Sequence, residues 1–394
     1  MPFPDDGQHD DGQPRAGEIV QFGRLSQQRS RWLGAVLLTC LAVAAVVTVV
    51  ARSGVPRPAH SPPPAPSLGP VPAVTNVGHP ILGIRAGWEL FGLAGSDVVA
   101  VQLARGRIVR SAFPAVASSG PVSFVVGKDK VIVRPLDNVP GYVVPDGKPA
   151  RRLTGILALG GTLLPGPSLS QEWFFQYGLV IGRDDFRREA SVVLIGPGGK
   201  PTGLALALPS AAHPPVLAMP DGRGDVVLVD YGGAIYDVGP RLLRPVGGVP
   251  VAVGPTNWLA VKCAGGACHD LVIDPVTGAS RALPGQPVTE TPWTYSLGVV
   301  APSGAIAAVV VPGIRDGTGT LELINLATGT KTRVDVPVGD PADRQLAWSP
   351  DGQWLLAVTS RGTLAAISMR TGRVQNLRLG MSGLSQIAIR PAPG

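Results

Sequence analysis

With only five histidines and three cysteines in 394 residues, the chain lacks the inventory for a multi-histidine or multi-cysteine metal centre. Charged residues are also scarce, at 15%, which removes the ion pairs that lace exposed helices. Apolar residues, at 45%, are too many for wholesale disorder. Beyond Pro80 no stretch keeps a helical apolar period over a dozen positions, so a helical bundle is excluded there. What abounds is turn chemistry. The 52 glycines and 41 prolines argue against a mainly helical protein and for short elements closed by tight reversals.

One long apolar run stands apart. Leu33 to Ala51 is uncharged over 19 residues, and as a helix it spans about 28 Å, close to the hydrocarbon thickness of about 30 Å. Arg24, Arg29, Arg31 and the interfacial Trp32 precede it, and Arg52 and Arg57 follow. An apolar run this close to the N-terminus ordinarily keeps its short leading tail in the cytoplasm. The expectation is a single-pass transmembrane helix over 32–52, N-terminus cytoplasmic, with everything beyond it extracytoplasmic. A cleavable signal peptide competes, with Val49 and Ala51 as small residues before a cut, but its apolar core is ordinarily about 7–15 residues. Cys40 follows Leu38-Thr39 and is succeeded by further apolar sequence, which reads as a membrane-buried cysteine and not a lipid attachment site.

On either side the composition changes. Residues 1–31 hold five acidic residues and four arginines with almost nothing to bury, as in a disordered tail. Residues 53–79 form a proline-rich stalk with eight prolines between Pro56 and Pro72. Proline fixes φ and removes amide donors, which favours an extended left-handed helix of about 3.1 Å per residue.

From Pro80 to Gly394 short β-rich runs recur. An apolar strand, a Gly-bearing turn and a second strand appear in 97–109, 225–238, 270–283, 320–334 and 363–377, with looser relatives at 131–138 and 191–204. The turn glycines Gly233, Gly278, Gly329 and Gly372 are 45, 51 and 43 residues apart. A second hairpin repeats as well: AWSPDGQWLLAV (347–358), echoed by AMPDGRGDVVLV (218–229) and VAPSGAIAAVV (300–310). A unit of about four strands with apolar residues on both faces must stack against its neighbours. The 315 residues accommodate a period near 45 seven times. The expected fold is all-β: a seven-bladed β-propeller over 80–394, six or eight blades being possible. SQIAIR (385–390) is a leftover strand, and Trp88 to Phe113 offers only about three, so the last strand is expected to complete the first blade and remove an exposed edge.

Trp348-Ser349-Pro350-Asp351-Gly352 resembles the hairpin motif of the Tol-system (TolB-like) and Trp-Asp-repeat propellers. The resemblance covers about 300 residues as architecture, strongest between Ala347 and Val374. In style of sequence the chain is similar to membrane-anchored propellers of high-GC bacteria. Such a fold hosts many functions and implies none by itself.

Few residues invite chemistry. Cys263 and Cys268 flank the four-residue turn Ala264-Gly265-Gly266-Ala267, which sets them opposite one another in a hairpin. In an oxidising compartment they should form a disulfide. His269 as a third zinc ligand fails, because adjacent strand residues face opposite ways and no fourth ligand is evident. The aromatic stretch containing Trp173, Phe175 and Tyr177, followed by the charge run with Arg183 and Arg187, is the candidate ligand-binding face. The alternative is a core strand leading to a solvated hairpin tip. Trp88, Trp258, Trp293 and Trp354 read as blade packing. Glu172, Asp225, Asp230 and Asp274 are scattered singly, the last two as turn-capping residues. There is no Gly-x-Ser-x-Gly elbow, phosphate loop or calcium loop of alternating acids, so neither a catalytic site nor a cofactor nor a metal is expected.

The net charge of +7 raises the question of nucleic acid, but the basic residues are spread through turns outside the membrane. Anionic wall polymers or lipid headgroups suit a mildly cationic ectodomain better. The preferred expectation is a non-enzymatic, extracytoplasmic binding or scaffolding module for a protein or cell-envelope ligand. A propeller hydrolase or lyase acting on wall carbohydrate, and a ligand sensor, are the alternatives.

Overall fold

A computed structural model describes residues 69–394 except 86, 115–121, 136–139, 155–160, 182–185, 208–214, 231–234, 240–241, 265–266, 289–297, 313–317, 340–343, 378, 381 and 392–394. Of 176–191, 203–217, 230 and 242–243 at most the backbone is described. The leading tail, the apolar run Leu33 to Ala51 and most of the stalk lie outside the described residues. Among the described residues no helix is long and apolar enough to cross a membrane. The chain divides into two units, Met1–Pro64 and Ala65–Gly394, and the described residues all belong to the second.

The second unit is all-β, with two short 3-10 turns, Ile81–Gly83 and Leu103–Arg105, and no α-helix among the described residues. Sheet A has the order β1 (Ala73–Asn76), β4 (Arg107–Ala112), β3 (Asp97–Gln102), β2 (Glu89–Ala94), β29 (Leu384–Arg390). Sheet B comprises β5 (Val122–Val126), β6 (Lys130–Pro135), β7 (Tyr142–Pro145) and β8 (Arg151–Arg152). Sheet C comprises β9 (Thr162–Pro165), β10 (Glu172–Ile181), β11 (Phe186–Ile195) and β12 (Pro201–Ala207). Sheet D comprises β13 (Pro215–Pro220), β14 (Val226–Asp230), β15 (Ile235–Gly239) and β16 (Leu242–Val246). Sheet E has eight strands. One meander is β17 (Val249–Val253), β18 (Trp258–Ala264), β19 (Ala267–Ile273) and β20 (Ser280–Ala282); the other is β21 (Gly298–Val300), β22 (Ile306–Pro312), β23 (Thr318–Asn325) and β24 (Lys331–Gly339). They meet where β17 pairs in parallel with β21, Ala252 opposite Gly298. Sheet F comprises β25 (Leu346–Trp348), β26 (Trp354–Val358), β27 (Leu364–Ser368) and β28 (Val374–Leu377).

These sheets stand radially. β5 lies beside β9, β9 beside β13, β17 beside β21 and β21 beside β25, while β29 lies beside both β25 and β5. Each neighbouring pair of sheets encloses its own apolar layer. Between B and C it is built on Val125, Ile132, Leu163 and Phe174, between C and D on Trp173, Val192 and Leu228, and between F and A on Leu356, Ala366, Leu90 and Val101. Strands buried on both faces, such as Leu364–Ser368, are what such stacking requires, since no sheet can cover itself.

The ring closes through the final strand. β29 pairs antiparallel with β2, with Glu89 opposite Arg390 and Leu90 opposite Ile389, as the leftover run 385–390 implied. The repeated turns share one construction. In Asp274–Gly278, Asn325–Gly329 and Ser368–Gly372 the glycine amide donates to the carbonyl four residues back at 2.8 Å. Those glycines have φ between +67° and +75°. Asp274 and Asn325 also accept two amides on one side-chain oxygen, the cap expected of Asp274. All three turns join the third and fourth strands of a meander. The run 225–238, grouped with them in the sequence, instead spans β14 and β15, the second and third strands of sheet D, and Gly233 lies outside the described residues.

Tryptophans tie the sheets together. Trp173 Nε1 of sheet C donates to the Gly224 carbonyl at 2.7 Å and Trp258 Nε1 of sheet E to the Asp221 carbonyl at 2.8 Å, so the turn between β13 and β14 is held from both sides. Trp348 Nε1 donates in the same way to Val299 at 3.1 Å. Trp88 is likewise buried and Trp354 half-buried, whereas Trp293 lies outside the described residues.

Candidate functional site

Of the candidate ligand-binding residues, Trp173 and Phe175 present no surface to a ligand. Both rings are in the core between sheets C and D, 0% and 5% exposed, because residues two apart on β10 point the same way and that way is the neighbouring sheet. The backbone places Tyr177 on β10 opposite Ala190 and Arg187 on β11 opposite Val180. Arg183 lies outside the described residues. Cys263 and Cys268 are directly opposite in β18 and β19 and are bonded, with Cα atoms 4.0 Å apart. His269, the next residue along β19, is exposed and stands opposite Lys262.

A polar row that the sequence did not reveal crosses sheet A. Asn76, Arg107, Gln102, Glu89 and Arg390 are consecutive cross-strand partners over all five strands. Beside it, between sheets A and B, lies a cavity of about 200 Å³. Its apolar floor includes Phe91, Val109 and Val131, and its polar rim Glu89, Gln102, Arg107, Asp146 and Arg390. Arg390 is the clasp of the ring. Its Nε donates to Glu89 Oε2 at 2.9 Å, Nη2 to the same carboxylate and to Asp146 Oδ2 at 2.7 Å, and Nη1 to the carbonyls of Lys128 at 2.9 Å and Gly127 at 3.1 Å. Its guanidinium also covers the Phe91 ring at 4.6 Å. Burial works against this charge, but the hydrogen bonds from Asp146 and Glu89 outweigh it and hold the proton more firmly than in a free arginine.

Not every group on the rim is spent. Gln102 Nε2 donates to Glu89 Oε1 at 2.8 Å, while its own Oε1 is buried without a donor. Arg107 has no carboxylate partner among the described residues. The cavity thus offers a cation and a hydrogen-bond acceptor over an apolar floor, which suits a small ligand bearing an anionic group and a donor.

The acids also differ from their sequence reading. Glu172 is fully buried and pairs with Lys130 Nζ at 3.0 Å, across the boundary of sheets B and C. Asp230 ends β14. Asp225 is not isolated, because Asp221, Asp225 and Asp237 each bring one carboxylate oxygen within 4.8 Å of the others. Asp221 and Asp225 bracket the β13–β14 turn and Asp237 stands on β15, so a meander folds distant positions onto one spot. Burial pushes all three carboxyls upward, Asp237 to about 6, and their mutual repulsion pushes Asp225 and Asp237 further. Arg244, directly opposite on β16, donates to Asp237 Oδ2 at 2.7 Å.

Within the turn of the second hairpin Ser349 Oγ donates to Asp351 Oδ1 at 2.5 Å, and the arrangement as a whole defines a protein class. It is a β-propeller. No protein-family model matches the chain, and no curated protein matches it. Among solved structures it is similar to TolB from Acinetobacter baumannii, with 13% identity, 79% of this chain and 84% of that one covered, and a TM-score of 0.40. It is also similar to the Pan2 WD40 domain of Neurospora crassa, with 10% identity, coverage of 81% and 99%, and a TM-score of 0.45. A third is an oligogalacturonate lyase in complex with manganese, with 13% identity, coverage of 75% and 89%, and a TM-score of 0.47. Likenesses this distant carry no argument about activity. The propeller class rests on the sheet order and its closure.

Proposed function

We propose that the chain is a membrane-anchored, extracytoplasmic propeller that binds a protein or cell-envelope ligand. On this reading the ring has seven blades, the two meanders of the eight-stranded sheet being taken as separate blades. The anchor is Leu33 to Ala51, with residues 1–31 in the cytoplasm and the proline stalk as spacer. The observation that carries the binding role is the cavity beside the polar row of sheet A, where the Arg107 guanidinium and the Gln102 amide oxygen have no side-chain partner among the described residues. A ligand presenting a carboxylate or phosphate beside a hydroxyl or amide donor satisfies both.

The test is calorimetric titration of the full-length protein in detergent with a soluble muropeptide digest, whose members carry carboxylates beside hydroxyl and amide donors. Saturable binding that weakens about tenfold or more in Arg107→Ala, and not in the exposed neighbour variant Arg105→Ala, is the expected result. No binding, or binding indifferent to Arg107→Ala, counts against this site. Cleavage of the digest, followed by mass spectrometry, would replace the binding reading with that of a hydrolase or lyase acting on wall sugars.

A further inference from the structure

Three carboxylates that fold together from separate strands raise the question of what balances them. Asp221 Oδ1 is satisfied by the amides of Arg223 at 2.6 Å and Asp225 at 2.8 Å. Asp237 Oδ2 is satisfied by Arg244. The other oxygens of these two residues, Asp221 Oδ2 and Asp237 Oδ1, are buried and have no hydrogen-bond partner. The side chains themselves are 0% and 1% exposed, so water in the bulk does not compensate them. Orphaned carboxylate oxygens at such depth are costly unless a proton or cation lies between them.

The surroundings fix the carboxylates in place. A Cβ on residue 239 would stand 2.7 Å and 2.8 Å from the two Asp225 oxygens, so Gly239 leaves the room in which that carboxylate sits. Trp258 and Trp173 hold the turn from either side, and Asp225 is half-buried, which leaves an entrance from solvent. Arg244 is already committed to Asp237 Oδ2 and to the carbonyls of Pro275 at 2.7 Å and Val276 at 3.0 Å. Arg223 is exposed and donates to the Pro275 carbonyl at 3.0 Å.

We infer that Asp221, Asp225 and Asp237 form a binding site for one hard divalent cation of the calcium class, bound through carboxylate oxygens and completed by water on the Asp225 side. Oxygens within 4.8 Å of one another match ligands placed at about 2.3–2.6 Å around a shared ion. Calcium accepts irregular oxygen shells, whereas magnesium demands near-octahedral ones. Bound there, the ion locks the β13–β14 turn to β15 and, through the two tryptophans, sheet D to its neighbours.

Those tryptophans also supply the assay. The full-length protein is stripped with EDTA and titrated with Tb³⁺, a luminescent calcium surrogate, while tryptophan is excited. Sensitised emission saturating at one ion per chain and displaced by Ca²⁺ is expected. Asp237→Asn and Asp225→Asn should weaken it at least about tenfold, whereas Asp335→Asn, an exposed acid elsewhere, should not. Asp225 is half-buried, so its variant keeps the test meaningful if Asp237→Asn fails to fold, and Ca²⁺ should raise the melting temperature of the parent but not of Asp225→Asn. Absence of sensitised emission, or emission and melting shifts that survive Asp225→Asn, would overturn the site and leave a shared proton as the balancing charge.

Discussion

Replacing Arg390 with alanine should open the ring. The guanidinium is buried between sheets A and B, bonds to Glu89, Asp146 and two backbone carbonyls, and covers Phe91. Its removal leaves Glu89 without its counter-charge and takes one donor from each of two carbonyls. Losing one partner of a buried pair costs about 3–5 kcal/mol. Asp146 is 41% exposed and can be rehydrated, which places the expected loss near the lower bound, about 3 kcal/mol. Arg390→Lys keeps the charge but not the fork that serves both carboxylates and both carbonyls, and should cost about 1–2 kcal/mol. Urea unfolding followed by tryptophan fluorescence reads both values as shifts of the midpoint at unchanged slope. If Arg390→Ala stays within about 0.5 kcal/mol of the parent, as an ordinary surface substitution does, the clasp contributes nothing and the reasoning fails.

Three further outcomes rest on the same packing. Gly329→Ala puts a Cβ 1.8 Å from the Pro284 carbonyl at a φ of +75°, and should lower stability by more than about 2 kcal/mol; an unchanged melting temperature would refute the turn geometry. Cys263→Ser with Cys268→Ser opens a six-residue hairpin loop at the end of β18 and β19 and should cost at most about 2 kcal/mol without loss of fold, so collapse on reduction would contradict a merely local staple. Burial raises the Glu172 carboxyl above its ordinary value of 4.5, partly opposed by Lys130. The folded state therefore holds that proton more tightly than the unfolded chain, and this stabilisation is complete below 4.5 and lost as pH rises through the raised folded value. Glu172→Gln should accordingly gain on the parent between pH 4 and pH 7, and a difference independent of pH would argue against the burial.

Legibility followed the range of the interaction. Turns such as Asp274–Gly278 and Asn325–Gly329 announce themselves because cap and glycine are four residues apart, and Cys263 and Cys268 because one hairpin joins them. The run 385–390 was recognisable as an unpaired strand, which is why ring closure could be anticipated. Partners set by inter-sheet packing left no local trace. Arg390 and Glu89 are 301 residues apart, and the polar row of sheet A takes its members from five strands. Asp221, Asp225 and Asp237 look like turn and strand acids until the β13–β15 meander superposes them. For Trp173 the sequence left two readings, a ligand platform beside a charge run or a core strand, and the neighbouring sheet places its ring in the core.

Whether the last strand truly seals the ring is open to one direct measurement. In a Cys40→Ser background, Leu93→Cys and Gln386→Cys are introduced on β2 and β29, where the two positions are cross-strand partners, and the protein is mildly oxidised and mapped by mass spectrometry. A disulfide joining these peptides in most molecules, with little from the off-register pair Leu93→Cys and Ala388→Cys, is the predicted result. No linkage, or equal linkage in both pairs, would mean that β29 does not complete the first sheet and that the chain is not a closed propeller.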